Sequence, residues 1–561
     1  MKIQNLPLRV LLWAMVALIM SSRASSPSTP FVNALSLTRR PSRSPPQGQL
    51  RQKKSIRLAA SSSSPNNDKG EHQRKEKKQQ SLSLVGTATI PEEIFNLVKS
   101  IIGAGVLSLP AGIALMANVG TSGAVGHSHG ILLSSFFLIA VMGSISAYTF
   151  SLIARVCRMT NSDTYAECWT ATKGQSLAWI VALSSTLDCF AGNLTYSMVL
   201  ADTFRQLLSS LFNLIGNGNG SSNQLIATLA AKNSRANVLL LLTTTVLLPL
   251  CCVKNLSSLA PFSLVGILGM VYTGIVIGLR YFDGSYRLPN GKFLADLKSL
   301  PSFAAGSASA AAGSIGGTSS TLPLLNPNSL ILVSMLSTAY IAHFNAPKFY
   351  KELKGSSKEP NRFHIGVVVP SFAASVLFYA VVSSMGYLTF GSSTAPMILS
   401  NYSTKDILLS LSRFAVGLSL IFSYPLLFVG LRDGIIDLIN QISPLLSKKN
   451  KTQQQKPLVL TQSQSNRVTV GLISFITVLA LKITDLAFVA SMSGALLGTS
   501  LIFIFPTLMF RSALKNESER TNIPYTKLQK FERRLCSVIV GLGVFIAGVG
   551  AKMAWKAAGA A

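Results

Sequence analysis

The sequence predicts an all-α integral membrane protein with eleven transmembrane helices. Hydrophobic residues make up 48% of the 561 residues and charged residues only 12%, about half of the charged fraction of a soluble domain. From Pro91 onward the chain contains eleven apolar segments that are long enough to cross a bilayer. We expect these segments to be helices, because a helix satisfies its backbone hydrogen bonds without help from the lipid.

Residues 1–85 differ from the rest of the chain in composition. A short apolar run at 10–20 resembles the core of a signal peptide and is too short to span a membrane. The tract 21–67 is rich in Ser, Pro and Arg, and no Asp or Glu precedes Asp68, which is typical of a transit peptide. This order is similar to the two-part plastid presequence of algae with complex plastids. A disordered basic cytosolic tail is the alternative, and both interpretations stay open.

The first apolar segment, from about Glu92 to Ala117, is predicted to break in its middle. Its core, FNLVKSIIGAGVLSLP, contains Lys99 and two glycines, Gly103 and Gly105. Glycine loosens a helix, and loose backbone survives in a bilayer only where it lines a cavity or holds a ligand. The alternative is a helix–helix contact made by small residues.

The other segments follow at regular intervals. Their expected limits are Gly130–Val156, Leu177–Phe204, Asn237–Val253, Leu259–Tyr281, Leu330–Phe344, Phe363–Phe390 and Ile407–Ile439, and the last three begin near Val468, Leu486 and Leu535. The loops after segments two, four, six, eight and ten hold about twice as many Lys and Arg residues as the opposite loops, which places the N-terminus in the cytosol or its equivalent. The long outer loop, 283–328, contains a Gly/Ala/Ser-rich tract that is interpreted as a flexible linker.

Ionisable residues within apolar segments indicate function, because lipid excludes charge. Lys99 lies in the first segment and Asp188 in the third, so the two side chains could neutralise one another and pass a proton. Snorkelling is the alternative for Lys99, and a hydrogen-bonded structural role is the alternative for Asp188. Arg413 opens the eighth segment and is interpreted as interfacial. His343 ends the sixth, where a structural role is the alternative to proton transfer.

Other classes of function have no support in the sequence. Neither an HExxH nor a P-loop motif occurs in the sequence, and no enzyme is indicated. The six cysteines show no CxxC pair and are interpreted as packing residues, so neither a metal nor a cofactor is expected. The net charge of +30 does not indicate nucleic-acid binding, because it is concentrated in the tail and the cytosolic loops.

Several motifs resemble the amino acid/auxin permease family, most closely its sodium-coupled neutral and vacuolar amino acid transporter branches. FNLVKSIIGAGVLSLPAG is similar to the family's first-helix motif, and AHFNAPKFYKEL, Ala342 to Leu353, to the motif at the end of helix six. KNLSSLAPFSLVGILG, GYLTFGSSTAPMILSNY and SGALLGTSLIFIFPTLMF also match. The resemblance covers about residues 90–556.

The resemblance implies a LeuT-like five-plus-five inverted repeat with an added eleventh helix and with helices one and six broken. The substrate carboxylate would bind backbone N–H groups of the first break, and the amino group would meet free carbonyls of both breaks. The substrate-binding residues implied in this way are Ile102, Gly103, Ala104, Gly105, Val106, Tyr196, Thr338, Ala339 and Tyr340.

One departure from the family concerns the coupling ion. The sodium-coupled branch has an asparagine where this chain has Lys99, and a cation at that position repels sodium and can take its place. Ser419 and Ser423 in the eighth segment are candidate ion ligands. The residues considered for ion coupling are therefore Lys99, Asp188, His343, Ser419 and Ser423, with a proton favoured over sodium.

The predicted function is secondary transport of small neutral L-amino acids across a lipid bilayer, coupled to protons or passive. The alternative is an amino-acid-sensing membrane receptor of the same fold. A receptor needs a docking element in its tail, and the tail here has the composition of a targeting sequence instead. The plastid envelope is the expected membrane, with vacuolar, endomembrane or plasma membrane as alternatives.

Overall fold

The computed structural model describes residues 88–117, 128–215, 234–253, 262–287, 290–297, 327–354, 359–446 and 461–560. Within these ranges the regular structure is helical, and one isolated parallel β-bridge joins Ala88 to Leu353. The predicted targeting region 1–85 and the Gly/Ala/Ser-rich tract of the long outer loop lie outside the described residues.

Fourteen helices form the described part of the chain. They are α1 Ile90–Ile101, α2 Leu109–Ala117, α3 Ser128–Thr160, α4 Tyr165–Lys173, α5 Ala178–Ile215, α6 Arg235–Cys252, α7 Phe262–Phe282, α8 Ser329–Ala339, α9 Ala346–Glu352, α10 Pro360–Ser393, α11 Ile407–Leu446, α12 Gln462–Lys482, α13 Leu486–Thr521 and α14 Lys527–Gly559. Short 3₁₀ turns and a single turn at Leu294–Leu297 complete the set.

Nine helical spans in the described residues are long and apolar enough to cross a membrane, and the bent pair α1 and α2 makes a tenth. Helix α7 is also apolar, and its described side chains cover Gly266–Phe282. The prediction of an all-helical, multi-pass membrane protein is confirmed. The count of eleven spans stays a prediction.

Two interruptions of helical geometry bring irregular backbone into the packed interior. The axis bends by 43° between α1 and the turn that leads into α2. The second interruption separates α8 from α9 at residues 340–342, before a short 3₁₀ turn, His343–Asn345. A Cβ atom on Gly105 would lie 3.4 Å from Ala339 Cα, so the two interruptions lie against each other.

Helix α13 packs against α8 at backbone distance. A Cβ atom on Gly494 would lie 1.8 Å from the Ser334 carbonyl oxygen, which leaves no room for any side chain. The backbone at Gly494–Gly498 forms a π-helical turn, and another follows at Ser500–Ile504. The Thr338 hydroxyl also donates to the Ala490 carbonyl at 2.7 Å, so α8 is held on α13 by both packing and a hydrogen bond.

Arg413, interpreted as interfacial from the sequence, is fully buried by protein. Its guanidinium donates to Gln206 Oε1 at 2.7 Å and to the Tyr402 and Leu399 carbonyls at 2.6 and 3.0 Å. A buried guanidinium is tolerated when its N–H groups are satisfied. Arg413 therefore fixes the loop before α11 to the helices beneath it.

Candidate substrate and ion site

A cavity of about 100 Å³ lies beside the first interruption. Four parts of the chain line it: the end of α1 with the interruption itself, α5, α7 and α11. The lining residues are Lys99, Ser100, Ile102, Gly103, Ala104, Tyr196, Gly266, Ile267, Met270, Val416, Ser419, Leu420 and Ser423. Seven of the fourteen residues predicted from the sequence thus share one cavity.

The backbone at the interruption is extended for two residues. Ile102 has φ −75° and ψ 90°, and Gly103 has φ −117° and ψ −167°, after which a 3₁₀ turn begins at Ala104. The first N–H groups of such a turn lack intrahelical partners and point toward its N-terminus, where an anion is stabilised. This is the kind of site that a carboxylate occupies.

Gly103 is not required by its backbone angles, because any residue adopts an extended φ. A Cβ atom placed on it would meet no atom within 4 Å. The missing side chain therefore leaves open space at the cavity wall, where a ligand can approach the backbone closely.

Lys99 lies in the last turn of α1 and is partly buried. Its neighbours in the cavity wall include hydroxyl groups from two other helices, those of Tyr196, Ser419 and Ser423. A Cβ atom on Gly266 would lie 2.5 Å from Ser419 Oγ, so the glycine in α7 allows this serine to sit at the cavity wall. No carboxylate is among the lining residues, so Lys99 makes the cavity electropositive.

Tyr379, on α10, contacts both interruptions and was not predicted from the sequence. Its hydroxyl lies 2.7 Å from the Ile101 carbonyl oxygen and 2.8 Å from the Ala339 carbonyl oxygen. The side chain is fully buried, and its ring lies 4.9 Å from that of Tyr340. A phenol has one proton to donate, so the two carbonyls, freed where α1 and α8 end, compete for a single donor.

The residues predicted at the second interruption do not line the cavity. The Thr338 hydroxyl is bonded to α13, and the Ala339 carbonyl accepts from Tyr379. The Tyr340 hydroxyl donates to the Ile139 carbonyl at 3.2 Å. Gly105 and Val106 also lie outside the set of lining residues, although Gly105 packs on Ala339.

Asp188 and His343 lie apart from the cavity. Lys99 lines the cavity and Asp188 does not, and the pairing of these two side chains stays a prediction. His343 is fully buried, and its Nε2 lies 3.0 Å from Thr149 Oγ1 and 3.1 Å from the Ser146 carbonyl oxygen. It therefore joins α3 to the segment after α8.

Sequence reasoning also missed the apolar part of the cavity wall, namely Ile267, Met270, Val416 and Leu420. These residues are ordinary members of apolar segments, and no local signal separates them from lipid-facing neighbours. The match of the α7 segment to the family motif was the one indication that this helix contributes. In the described residues, no group of three or more His, Cys, Asp or Glu side chains could hold a metal ion.

Comparisons with known proteins agree with this architecture. A family model described as transmembrane amino acid transporter protein matches residues 86–553. Amino acid transporter AVT6E of Arabidopsis thaliana is 24% identical over 472 residues, which cover 82% of this chain and 81% of the relative. Putative sodium-coupled neutral amino acid transporter 11 of Danio rerio is 25% identical over 469 residues, covering 83% and 86%.

A fungal relative and a solved structure are also similar. Vacuolar amino acid transporter 7 of Saccharomyces cerevisiae is 24% identical over 386 residues, 65% of each chain. The crystal structure of MhsT in complex with L-phenylalanine aligns with a TM-score of 0.42 and 11% identity, over 81% of this chain and 98% of that one. A TM-score of this size does not decide the fold, so the LeuT-like inverted repeat stays a prediction.

Proposed function

The chain belongs to the transmembrane amino acid transporter family, a family of transporters rather than enzymes, and from that membership we propose that it is a secondary transporter of small neutral L-amino acids. The observation that carries the proposal is the cavity beside the first interruption, where a 3₁₀ turn begins at Ala104 and Gly103 leaves open space at the wall. A zwitterion can place its carboxylate there without any arginine or metal ion.

The size and wall of the cavity support a small, uncharged side chain. Its volume is about 100 Å³, and the apolar side chains Ile267, Met270, Val416 and Leu420 form part of the wall. A charged substrate side chain would lose its water at this apolar wall, and the free-energy cost would be roughly several kcal/mol. Uptake of an amino-acid panel into proteoliposomes tests this proposal, and transport of organic acids or sugars alone would contradict it.

Lys99 supports sodium-independent transport that is coupled to protons or passive. Two unit charges about 4 Å apart repel by about 4 kcal/mol near a protein surface, which weakens ion binding about a thousandfold. An ammonium group in the same cavity as Ser419 and Ser423 therefore disfavours sodium binding there. A lysine that gains and loses its proton as the cavity opens to each side can couple a proton gradient to substrate movement.

The coupling ion is tested by measuring uptake with sodium replaced by choline, and then under an imposed pH gradient. We expect the parent protein to retain uptake in choline and Lys99→Asn to lose any response to the pH gradient. Lys482→Asn is the matched control, because Lys482 is exposed at the end of α12. A strict sodium requirement in the parent protein would contradict the proposal, and an unchanged pH response in Lys99→Asn would move the proton site to Asp188 or His343.

An amino-acid receptor of the same fold is the second candidate. It differs from a transporter in one measurable way: it binds substrate without net flux. The panel experiment therefore separates the two, because binding without accumulation of substrate in the vesicle would favour the receptor.

The location we propose is a plastid envelope membrane. The support is the composition of residues 1–85, a signal-like core followed by an acid-free tract rich in Ser and Arg. One of the relatives is named a vacuolar transporter, which keeps the vacuolar membrane as the alternative.

A further inference from the structure

Glu93, in the first turn of α1, is a buried acid without a hydrogen bond. The side chain is 0% exposed, and within the described residues neither carboxyl oxygen has a hydrogen-bond partner. Its neighbour Glu92 is the opposite case, because it is exposed and its Oε2 accepts from the Thr89 N–H at 2.7 Å. Two adjacent glutamates thus differ completely in environment.

The charges around Glu93 do not compensate an ionised carboxylate. Two charged side chains of α9 act on the Glu93 carboxylate: Glu352 repels it and Lys348 attracts it. Lys348 Nζ lies 3.9 Å from Glu352 Oε1, and its side chain is 67% exposed. From α1 itself, the nearby Glu92 also repels an anion. Helix α10, which packs on α1, carries four charged or titratable side chains, and none of them bonds to Glu93: Arg362, His364, Tyr379 and Tyr387.

Glu93 lies beside the junction between two half-helices. The Ala88 N–H donates to the Glu352 carbonyl at 2.9 Å, and the Lys354 N–H donates to the Ala88 carbonyl at 3.0 Å. This short bridge ties the start of α1, which precedes the first interruption, to the end of α9, which follows the second. We call it the N-terminal junction, defined by Ala88, Glu93, Lys348, Glu352 and Leu353.

We propose that Glu93 is a proton-binding site that controls opening of the N-terminal junction. In the closed junction the carboxyl group is protonated, because no donor stabilises its anion and water is excluded. When the proton passes to water, the carboxylate needs hydration, which it obtains only if α1 moves away from α9. Proton binding and junction closure are therefore linked, and each stabilises the other.

The sign of the pH dependence follows from this linkage. Acidic solution on the N-terminal face keeps Glu93 protonated and the junction closed. As the pH rises, the population of the open junction increases by at most about tenfold per pH unit, since one proton is released. Opening exposes the α1 side of the cavity, so the site regulates access on the face where α1 begins. This linkage holds for any substrate and any coupling ion, and only its consequence for transport rests on the proposed function.

Hydrogen–deuterium exchange on the full-length protein in nanodiscs tests the proposal. Protection of peptides 88–101 and 346–354 is followed from pH 5.5 to 8.5. Because the intrinsic rate of amide exchange also changes with pH, peptides from α5 serve as the reference that corrects for it. We expect protection in the parent protein to fall as the pH rises, and in Glu92→Gln to fall in the same way, because glutamine keeps the cap on Thr89. Glu93→Gln, a permanent mimic of the protonated form, is expected to stay protected throughout.

A parent protein whose corrected protection does not change with pH would overturn the proposal, even if Glu93→Gln failed to fold. A Glu93→Gln protein that follows the parent would overturn it as well. Exchange is measured without a gradient or substrate, so its outcome is independent of the uptake experiments. Loss of transport with intact pH-dependent protection would reject the proposed function and leave the proton site standing.

Discussion

At the scale of single residues, Tyr379 is the side chain that most directly joins the two interruptions. One hydroxyl lies within hydrogen-bond distance of carbonyl oxygens from both α1 and the end of α8. Hydrogen bonds between membrane helices contribute modestly, about 0.6 kcal/mol on average. We expect the hydrogen bond of Tyr379 to matter more for transport than for stability. When the two interrupted helices move, its hydroxyl can switch from the Ile101 carbonyl to the Ala339 carbonyl and so keep them connected.

We therefore expect Tyr379→Phe to lower transport at least tenfold while reducing the free energy of unfolding by only about 1 kcal/mol. Initial uptake rates and the thermal unfolding midpoint of the purified variant measure the two effects. Tyr387→Phe is the control, because Tyr387 is on the same helix and its hydroxyl has no hydrogen bond among the described residues. Normal uptake in Tyr379→Phe would show that the hydroxyl is dispensable.

At the scale of elements, α13 is built around a close approach to α8. Its π-helical turn begins at Gly494, whose Cα faces the Ser334 carbonyl, and Gly498 repeats the approach one turn later, against Ser337. A π-helical turn widens the helix locally and is often found at functional sites. Here it allows α8, the helix that leads into the second interruption, to lie against backbone instead of side chains.

Gly494→Ala is expected to be severely destabilising, because its Cβ would overlap the Ser334 carbonyl and α13 would have to shift. Overpacking of this kind costs about 1–3 kcal/mol or more. Gly548→Ala is a matched control in another π-helical turn, where a Cβ meets nothing within 4 Å, and its effect should stay within about 0.5 kcal/mol. The two variants are compared by their yield of monodisperse protein and by their thermal unfolding midpoint. Equal values for both variants would contradict the close packing of α13 on α8.

At the scale of the whole molecule, ion pairs of the described residues connect distant parts of the chain. The bidentate ion pairs Arg155–Glu532 and Arg280–Asp406 join elements near the ends of helices. Asp296 lies outside the membrane-spanning helices. Its burial alone would raise the pKa of its carboxyl group, but hydrogen bonds from Lys405 and Ser403 have the larger combined effect, so the pKa is lowered. This distribution leaves the cavity at Lys99 as a separate electropositive site within the apolar interior.

The destination of the molecule is predicted from residues 1–85. When this region is fused to a fluorescent protein and expressed in the native cell, we expect the signal at the plastid, because a signal-like core precedes a transit-like tract. A fusion of residues 21–85 without the core serves as the control and should lose this location. Vacuolar or plasma-membrane fluorescence from the full region would reject the plastid proposal.

Much of the architecture could be read from the sequence by itself. Apolar length predicted the membrane helices within a few residues, as for Ile407 at the start of α11 and Leu486 at the start of α13, because the thickness of the bilayer sets a minimum length for each span. The Lys99–Gly105 stretch predicted the first interruption, because glycine pairs in apolar segments are local signals. Helix ends were less accurate where polar turns extend a helix beyond the bilayer, as in α5, which continues to Ile215.

Only the tertiary structure decided which of these residues meet. It brought Lys99, Tyr196, Ser419 and Ser423 to one cavity, separated Asp188 and His343 from it, and revealed Tyr379 and Glu93. Contacts between helices depend on the rotation and crossing angle of each one, which side-chain packing sets and which periodicity along a single segment does not contain. The sequence therefore determined that the chain spans a membrane and where its first helix is interrupted, and packing determined which polar groups share a site.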